Sequence, residues 1–337
     1  MKILVSGASG RVGANLVRAL VERGDEVISM VFPGDPQMSK LEGIHTELRQ
    51  ADLMDTEAVL SAAKGAQVII HAAALMGQPK MGTEAFLNVN VMGTQRLLDA
   101  ALQNHVQRFI YFSSTAAYDT DRIAVQPTPE DAPLDPLSLY GTSKRMAEAL
   151  VENYNRIHGL PYVILRPSDI RAGEEILNGW TVRSTLNIYK RGVKDPLKHF
   201  YCADDPEPWQ ELEALAKEKG AALCAATDVN GDPWERHSTD VRDMVGATVA
   251  AVDSDLALGG IFNVAAPKPM PMPALVSYLA AKTGDEIVAV ATPTRRRVNL
   301  SVQRMVDTFY QPQYGYQRMI DDALAFQDGQ DIGVISA

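Results

Sequence analysis

Three glycines at fixed spacing, Gly7-Ala8-Ser9-Gly10-Arg11-Val12-Gly13, follow a β-rich run at 2–6 and open a helical pattern near 11–23. No other stretch constrains the fold as tightly. At a strand-to-helix junction the first glycine makes the tight turn, and the second lets the backbone approach a pyrophosphate. The third lets helix pack on strand. The helix start adds free N–H groups and the positive end of the dipole. The pattern therefore predicts a dinucleotide held by Gly7, Ser9, Gly10, Arg11, Val12 and Gly13.

The rest of the first half alternates in the same way. Strand-like runs near 26–31, 47–51, 67–71, 108–113 and 162–166 are interleaved with helical patterns near 57–64, 83–104 and 137–158. Parallel strands need long return connections, so this rhythm predicts an α/β fold with a doubly wound parallel sheet. After Pro167 the rhythm breaks. Residues 173–239 hold helical patterns near 181–190 and 209–219, a Pro/Asp-rich stretch, a strand-like 221–226 and a turn at 230–233. A helix near 240–253 and a strand at 260–264 then return. The expected division is a dinucleotide-binding body of 1–172 plus 240–265, and a smaller substrate lobe of 173–239 plus 266–337.

Composition narrows the partners. With 32 basic and 42 acidic side chains the formal charge is -10, and the one dense basic run, Arg295-Arg296-Arg297, reads as a solvated turn. Nucleic acid is excluded as a partner, because phosphate neutralisation needs clustered cations. No run of about 18 apolar residues suggests a membrane span, and the N-terminus lacks signal-peptide architecture. Cys202 and Cys224 have no neighbours at metal-ligand spacing, so no metal is expected and a reducing, cytoplasmic location fits.

Further residues point to the cofactor. Asp52-Leu53 follows the third strand, where a carboxylate accepts a hydrogen bond from an adenine amino group or caps the next helix. Ala72, Ala73 and Ala74 end the fourth strand and leave room for ribose and pyrophosphate. The second strand ends Met30-Val31-Phe32, with neither the acid that suits NAD nor the arginine that suits NADP. Arg11 is the nearest cation to a 2'-phosphate, and the choice between NAD and NADP stays open.

The chemistry gathers at Tyr140-Gly141-Thr142-Ser143-Lys144, which puts tyrosine and lysine one turn apart on one helix face. A phenol titrates near about 10 and is a poor base at neutral pH, and an adjacent ammonium favours its ionised form. Tyr140 can then exchange a proton with a substrate oxygen while a nicotinamide exchanges hydride. Ser114, at the end of the fifth strand, can hydrogen-bond the same oxygen.

Taken together the chain resembles the extended short-chain dehydrogenases/reductases, the NAD-dependent epimerase/dehydratase family. The resemblance rests on the glycine loop, Asp52-Leu53, His71-Ala72-Ala73, the run from Asn88 to Thr94, Ser113-Ser114, the Tyr140–Lys144 motif, Leu165-Arg166-Pro167 and the segment from Trp234 to Val241. It implies a Rossmann-type sheet and a catalytic set of Ser114, Tyr140 and Lys144. It also implies that Lys144 binds the nicotinamide ribose, Asn90 braces the site, and Pro167 and Ser168 lie beside the nicotinamide. A homodimer through the helices near 83–104 and 137–158 is implied as well.

Three departures bear on the substrate. Ser114-Thr115-Ala116 stands where the family's sugar dehydratases resemble Thr-Asp-Glu, which argues against dehydration. Asp169 replaces an asparagine that holds nucleotide sugars, and a carboxylate there repels a diphosphate unless Arg171, Arg183 or the 295–297 run compensates. The insertion is long, and its Trp209 and Trp234, with Trp180, line a pocket or form a satellite core. His199 and His237 lie in the same region. The expected function is an NAD(P)-dependent oxidoreductase interconverting a secondary alcohol and a carbonyl on a small polar substrate, contacted by Ser114, Tyr140, Asp169 and Arg171. The alternative is an NDP-sugar 4-epimerase.

Overall fold

The computed structural model describes residues 1–77, 82–120, 123–194, 207–292 and 296–336. In chain order the elements begin β1 (Lys2–Ser6), α1 (Arg11–Glu22), β2 (Glu26–Val31), β3 (Glu47–Gln50), α2 (Thr56–Ala63) and β4 (Val68–His71). They continue α3 (Gly93–Gln103), β5 (Arg108–Phe112), α4 (Leu139–His158), β6 (Tyr162–Pro167) and β7 (Ile170–Arg171). The insertion supplies α5 (Val182–Lys194), α6 (Glu207–Lys219), β8 (Leu223–Asp228), β9 (Glu235–Arg236) and β10 (Thr239–Asp240). After it come α7 (Val241–Asp253), β11 (Gly260–Val264), β12 (Met270–Pro271), α8 (Met272–Thr283), β13 (Ile287–Thr292), α9 (Gln303–Thr308) and α10 (Tyr316–Gln327).

Seven parallel strands form one sheet in the order β3-β2-β1-β4-β5-β6-β11. Winding reverses between β1 and β4, and a crevice opens outside their carboxyl ends. The inner strands β4, β5 and β6 are buried along their whole length, as a sheet covered on both faces requires. Alternation along β1 divides its side chains: Ile3 and Val5 join Leu16, Leu20 and Met244 of α1 and α7, while Leu4 joins Leu97, Leu98 and Val151 of α3 and α4.

A third core lies outside this sheet. Trp180 and Trp234 pack with Leu275, Leu279 and Ile320 around the parallel pair β8–β13. Both indoles are fully buried, with Trp234 Nε1 donating to Thr292 Oγ1 at 2.8 Å and Trp180 Nε1 to the Ile176 carbonyl. They form the satellite core and do not line the cleft described below. Trp209 lies on α6 with its side chain outside the described set, and His199 and Cys202 lie outside the described residues.

Two segments depart from the sequence expectation. The helix expected over 83–104 is a π-helical stretch, Phe86–Met92, followed by α3. Asn90 sits within that stretch and is drawn inward by the hydrogen bonds described below. The expected lobe of 266–337 is also divided: Val302, Met305, Phe309 and Tyr310 pack in the sheet's own core. The Asp243 carboxylate of α7 fixes that return, accepting from Tyr310 Oη, the Gln313 amide and the Tyr314 amide at 2.8–3.0 Å.

Candidate active site

One cleft of about 1170 Å³ opens at the carboxyl ends of the strands, larger than the pockets of about 300–1,000 Å³ that hold drug-sized ligands. Its floor is the glycine loop. Gly7 has φ +68°, and a Cβ there would stand 2.8 Å from Ala73 Cα, while one on Gly13 would stand 2.0 Å from the Gly7 carbonyl. Only glycine closes the turn at the first position and lets α1 seat on β1 at the third. Ser9, Gly10, Arg11 and Val12 complete this wall, and the first turn of α1 carries no acidic side chain against an anion.

The alanines of the β4 end line the opposite wall, held by a buried relay. Ser6 Oγ lies 2.8 Å from His71 Nδ1 and accepts from the Ala73 amide at 3.2 Å, while His71 Nε2 lies 3.0 Å from Thr94 Oγ1. Burial, helped by the nearby Lys144 charge, pushes the His71 pKa down to about 3, so the ring is a neutral strut. Asp52 and Leu53 also line the cleft. Asp52 accepts from the Met54 amide at 2.9 Å, and Asp55 is the residue that caps α2.

A carboxylate near the end of β2 escaped the sequence reading. Asp35 lines the cleft four residues beyond β2 and accepts from Ser9 Oγ at 2.6 Å. The signal was present as Pro33-Gly34-Asp35-Pro36, a turn that carries the acid past the strand end where one looks for it. Arg11, the candidate for a 2'-phosphate, is engaged by Glu175 at 2.6 Å.

Ser114, Tyr140 and Lys144 all line the same cleft. Ser138 caps α4 by accepting from the Gly141 amide at 3.1 Å, which places Tyr140 in the first turn. Burial raises the Tyr140 pKa above its ordinary value, and a hydrogen bond with Ser114 works against that rise. Lys144 donates from Nζ to the Phe112 carbonyl at 2.7 Å, with Nζ 5.8 Å from the centre of the Tyr140 ring. Desolvation brings the lysine down to about 7. The expected lowering of Tyr140 by a full ammonium is therefore offset by burial of both groups.

Asn90 does not line the cleft and acts from behind it. Its Oδ1 accepts from the Leu75 amide at 2.7 Å, and its Nδ2 donates to the Leu75 carbonyl and to Ser143 Oγ at 2.9 Å. Ser143 Oγ in turn donates to the Tyr140 carbonyl at 2.7 Å. One side chain thus ties the loop after β4 to the turn that carries Tyr140.

Pro167, Ser168 and Asp169 line the far end with Ile188, Arg236, His237, Arg296 and Val298. Arg171 does not line it; its guanidinium grips Asp169 Oδ2 at 2.6 Å and the Glu175 carbonyl at 3.1 Å. Arg236 donates to the same Asp169 oxygen at 2.7 Å and stacks 5.0 Å from the Trp180 ring. Burial would raise the Asp169 pKa, but the guanidiniums of Arg236 and Arg171 more than offset it and hold the acid below its usual range. The carboxylate expected to repel a diphosphate is therefore neutralised in place. His237 is a buried strut, with Nε2 2.7 Å from the Ala266 carbonyl and Nδ1 accepting from the Leu300 amide, and burial pushes its pKa down to about 4.

The basic run is not the solvated turn expected. Arg295 lies outside the described residues, Arg296 faces the cleft, and Arg297 stands 3.7 Å from Glu235. Backbone bonds from the Glu235 amide to the Arg296 carbonyl and from the Val298 amide to the Glu235 carbonyl fix this register. Arg183, the other compensating cation considered, donates to the Ala216 carbonyl and does not line the cleft.

Comparison with known proteins agrees with this architecture. The profile of the NAD dependent epimerase/dehydratase family matches residues 3–177. A solved short-chain dehydrogenase/reductase superfamily protein from Agrobacterium tumefaciens, with bound NAD, is 30% identical and superposes with a TM-score of 0.82, over 98% of this chain and 100% of that one. The UDP-glucose 4-epimerase of Thermotoga maritima shares the fold, with a TM-score of 0.74 at 20% identity over 98% of this chain and 99% of that one. The dTDP-glucose 4,6-dehydratase of Streptomyces antibioticus is 33% identical over 188 residues, which cover 50% of this chain and 53% of that protein. The chain spans about half the length of the curated relatives it matches. With a glycine loop, a seven-strand parallel sheet and a match across its first half, the chain belongs to the NAD dependent epimerase/dehydratase family, within the short-chain dehydrogenases/reductases.

Proposed function

We propose that this protein is an oxidoreductase that uses NAD to interconvert a secondary alcohol and a carbonyl on a small polar substrate. The observation that carries the reading is the convergence of Ser114, Tyr140 and Lys144 on one cleft with the glycine loop. NAD, when bound, would supply the hydride acceptor for the alcohol and the hydride donor for the carbonyl.

The residues present fit that group. Gly7, Ser9, Gly10, Val12 and Gly13, with the start of α1, would hold the pyrophosphate. Asp52 and Leu53 would meet the adenine, and Ala72, Ala73 and Ala74 leave space for the ribose and pyrophosphate. Asp35 favours NAD, since its carboxylate accepts from ribose hydroxyls and repels a 2'-phosphate, while Arg11 is occupied by Glu175. Lys144, Pro167 and Ser168 would meet the nicotinamide half.

Tyr140 takes the hydroxyl proton as the alcohol becomes a carbonyl and gives it back in reverse. Ser114 orients the reacting oxygen from the other side. Lys144, while protonated, favours the ionised phenol. Asn90 positions the turn beneath them.

An assay of NAD and NADP reduction at 340 nm over hydroxy-acid, sugar-acid and polyol substrates tests this. We expect NAD to exceed NADP in kcat/KM, and Tyr140→Phe to lower kcat by about 10²–10⁴ with NAD affinity kept. Unchanged turnover in that variant would reject the assignment.

The same reading includes a homodimer through α3, α4 and the π-helical stretch, supported by the exposed apolar Leu87, Met92, Leu139 and Met146 on these elements. A monomeric mass by light scattering at micromolar concentration would refute it. The 4-epimerase reading is favoured by a putative UDP-glucose 4-epimerase of Methanocaldococcus jannaschii, 29% identical over half of this chain. Isomerisation of a UDP-hexose without net NAD reduction would establish it instead.

A further inference from the structure

His71, Tyr111 and Lys144 meet on the side of the sheet that α4 covers. β4 and β5 pair in parallel with His71 directly beside Tyr111, so both side chains leave the same face. Tyr111 shares the core on that face with Ala147 and Val151 of α4, and Lys144 reaches down onto its ring. Lys144 Nζ stands 5.0 Å over the ring centre, inside the distance of about 6 Å at which an aromatic face attracts a cation. His71 backs the ring from the next strand, with centroids 5.6 Å apart. Tyr111 is 1% exposed and Lys144 is 2% exposed.

An ammonium carries three donors, and among the described residues the recorded hydrogen bond of Lys144 Nζ is the one to the Phe112 carbonyl. With water excluded, the charged form needs other support. The negative face of the Tyr111 ring supplies some, the Tyr140 ring lies farther off at 5.8 Å, and the Glu148 carboxylate one turn along α4 adds its charge. Glu148 is itself paired with Arg166 of β6 at 2.7 Å, so its pull is shared. His71 is neutral, and burial raises the Tyr111 phenol well above its ordinary value, so neither brings a charge of its own.

Consecutive residues of β5 thus hold the ammonium from two sides, Phe112 through its carbonyl and Tyr111 through its ring. The ring has little freedom to move aside. On one flank His71 is fixed between Ser6 Oγ and Thr94 Oγ1, and on the other Tyr111 pairs with Ile164 of β6. Tyr111 does not line the cleft, so whatever it does for the chemistry passes through Lys144.

We propose that Tyr111 is a positioning residue for Lys144, its ring face holding the ammonium against the Phe112 carbonyl and beside Tyr140. The proposal rests on the oxidoreductase reading and adds a residue to its machinery. A protonated Lys144 favours the ionised Tyr140 that accepts the hydroxyl proton, so losing the ring slows alcohol oxidation.

The test reads the charge on Lys144 without substrate and turnover with it. In full-length protein labelled with carbon-13 at lysine Cε, NMR follows the Lys144 signal, identified by its absence from Lys144→Met, between about pH 5 and 10. Tyr111→Phe keeps the ring and leaves the midpoint where the native chain has it, near pH 7. Tyr111→Leu lowers the midpoint by about one pH unit, because a desolvated cation–π contact changes an equilibrium roughly tenfold. Phenylalanines bearing one, two and three ring fluorines at position 111 weaken the negative face at nearly constant volume. Along that series the midpoint and kcat for alcohol oxidation fall step by step, an order that packing alone does not produce. A midpoint unmoved in Tyr111→Leu, or no order with fluorine number, overturns the proposal, and the fluorinated series decides it if Tyr111→Leu does not fold. The two readings fail separately. NAD reduction that needs Tyr140 yet ignores fluorination would remove the role of Tyr111 and keep the oxidoreductase. A midpoint that follows fluorination in a protein reducing no NAD would keep the ring contact and sink the oxidoreductase.

Discussion

Lys144 lies in the α4 turn beyond Tyr140, 2% exposed, and its only recorded hydrogen bond among the described residues is to the Phe112 carbonyl. Removed from water, the ammonium gives up its proton near pH 7. The linkage sign follows. Between about pH 7 and the unfolded lysine value near 10.4, the unfolded chain holds a proton that the folded chain has lost, so this group makes stability rise with pH. Lys144→Met removes that term. The stability of wild type minus variant, from denaturant melts between pH 7 and 10, is expected to grow by about 1.4 kcal/mol per pH unit. A flat difference would mean that Lys144 keeps its charge in the fold. The residue and its spacing from Tyr140 were legible in the sequence. Its depressed titration was not, because desolvation depends on how tightly β5 and α4 close over it.

Elements set the site through a few long side chains. Arg166 of β6 grips Glu148 of α4 with Nε and a terminal nitrogen at 2.8 and 2.7 Å, both side chains 2% exposed. Its other terminal nitrogen reaches Tyr118 Oη and the Glu130 carbonyl, and Tyr118 Oη donates to Asn263 of β11. Arg166 thereby locks α4, which carries Tyr140 and Lys144, to the strand that ends at Pro167. Opening a buried pair by removing one partner leaves an uncompensated charge, at a cost of about 3–5 kcal/mol. Glu148→Ala should therefore lower unfolding free energy by that amount, read from urea melts, while a loss under about 1 kcal/mol would make the pair incidental. Sequence pattern placed Leu165-Arg166-Pro167 on a strand and the Tyr140–Lys144 motif on a helix. The pairing of Arg166 with Glu148 has no local signal, since residues 18 apart become neighbours only when β6 joins the sheet. The π-helical stretch was hidden for a similar reason: Asn90 reads as one more helical position until its partners at Leu75 and Ser143 are in place.

At the scale of the whole molecule, the parallel sheet follows from the glycine loop and the strand–helix rhythm, which are local patterns. The opposite end of the cleft does not, because Asp169, Arg236 and Arg296 are brought together from three separated segments. Asp35 and Arg236 went unnoticed for that reason, each looking like an ordinary loop or strand charge. The chain's two ends meet by a still longer connection. Asn15 of α1 donates to the Ile335 carbonyl and accepts from the Ile335 amide, both at 2.8 Å, while Arg18 donates to the Gly333 carbonyl at 2.5 Å. Val334 packs with Val12, Ala172 and Val241, directly behind the glycine loop. The C-terminal segment therefore clamps the helix whose first turn lines the cleft. Asn15→Leu removes both bonds and leaves the Ile335 backbone groups unmatched, at about 1–3 kcal/mol for a buried polar group that loses its partner. Since α1 and β1 share the central core, thermal melts should record this as a loss of global stability. NAD affinity measured by calorimetry should weaken as well, because a looser α1 holds its free N–H groups less firmly toward the ligand. An Asn15→Leu protein that melts lower yet binds NAD as wild type does would confine the clamp to stability. One that melts and binds as wild type would show that the tail contributes nothing to either.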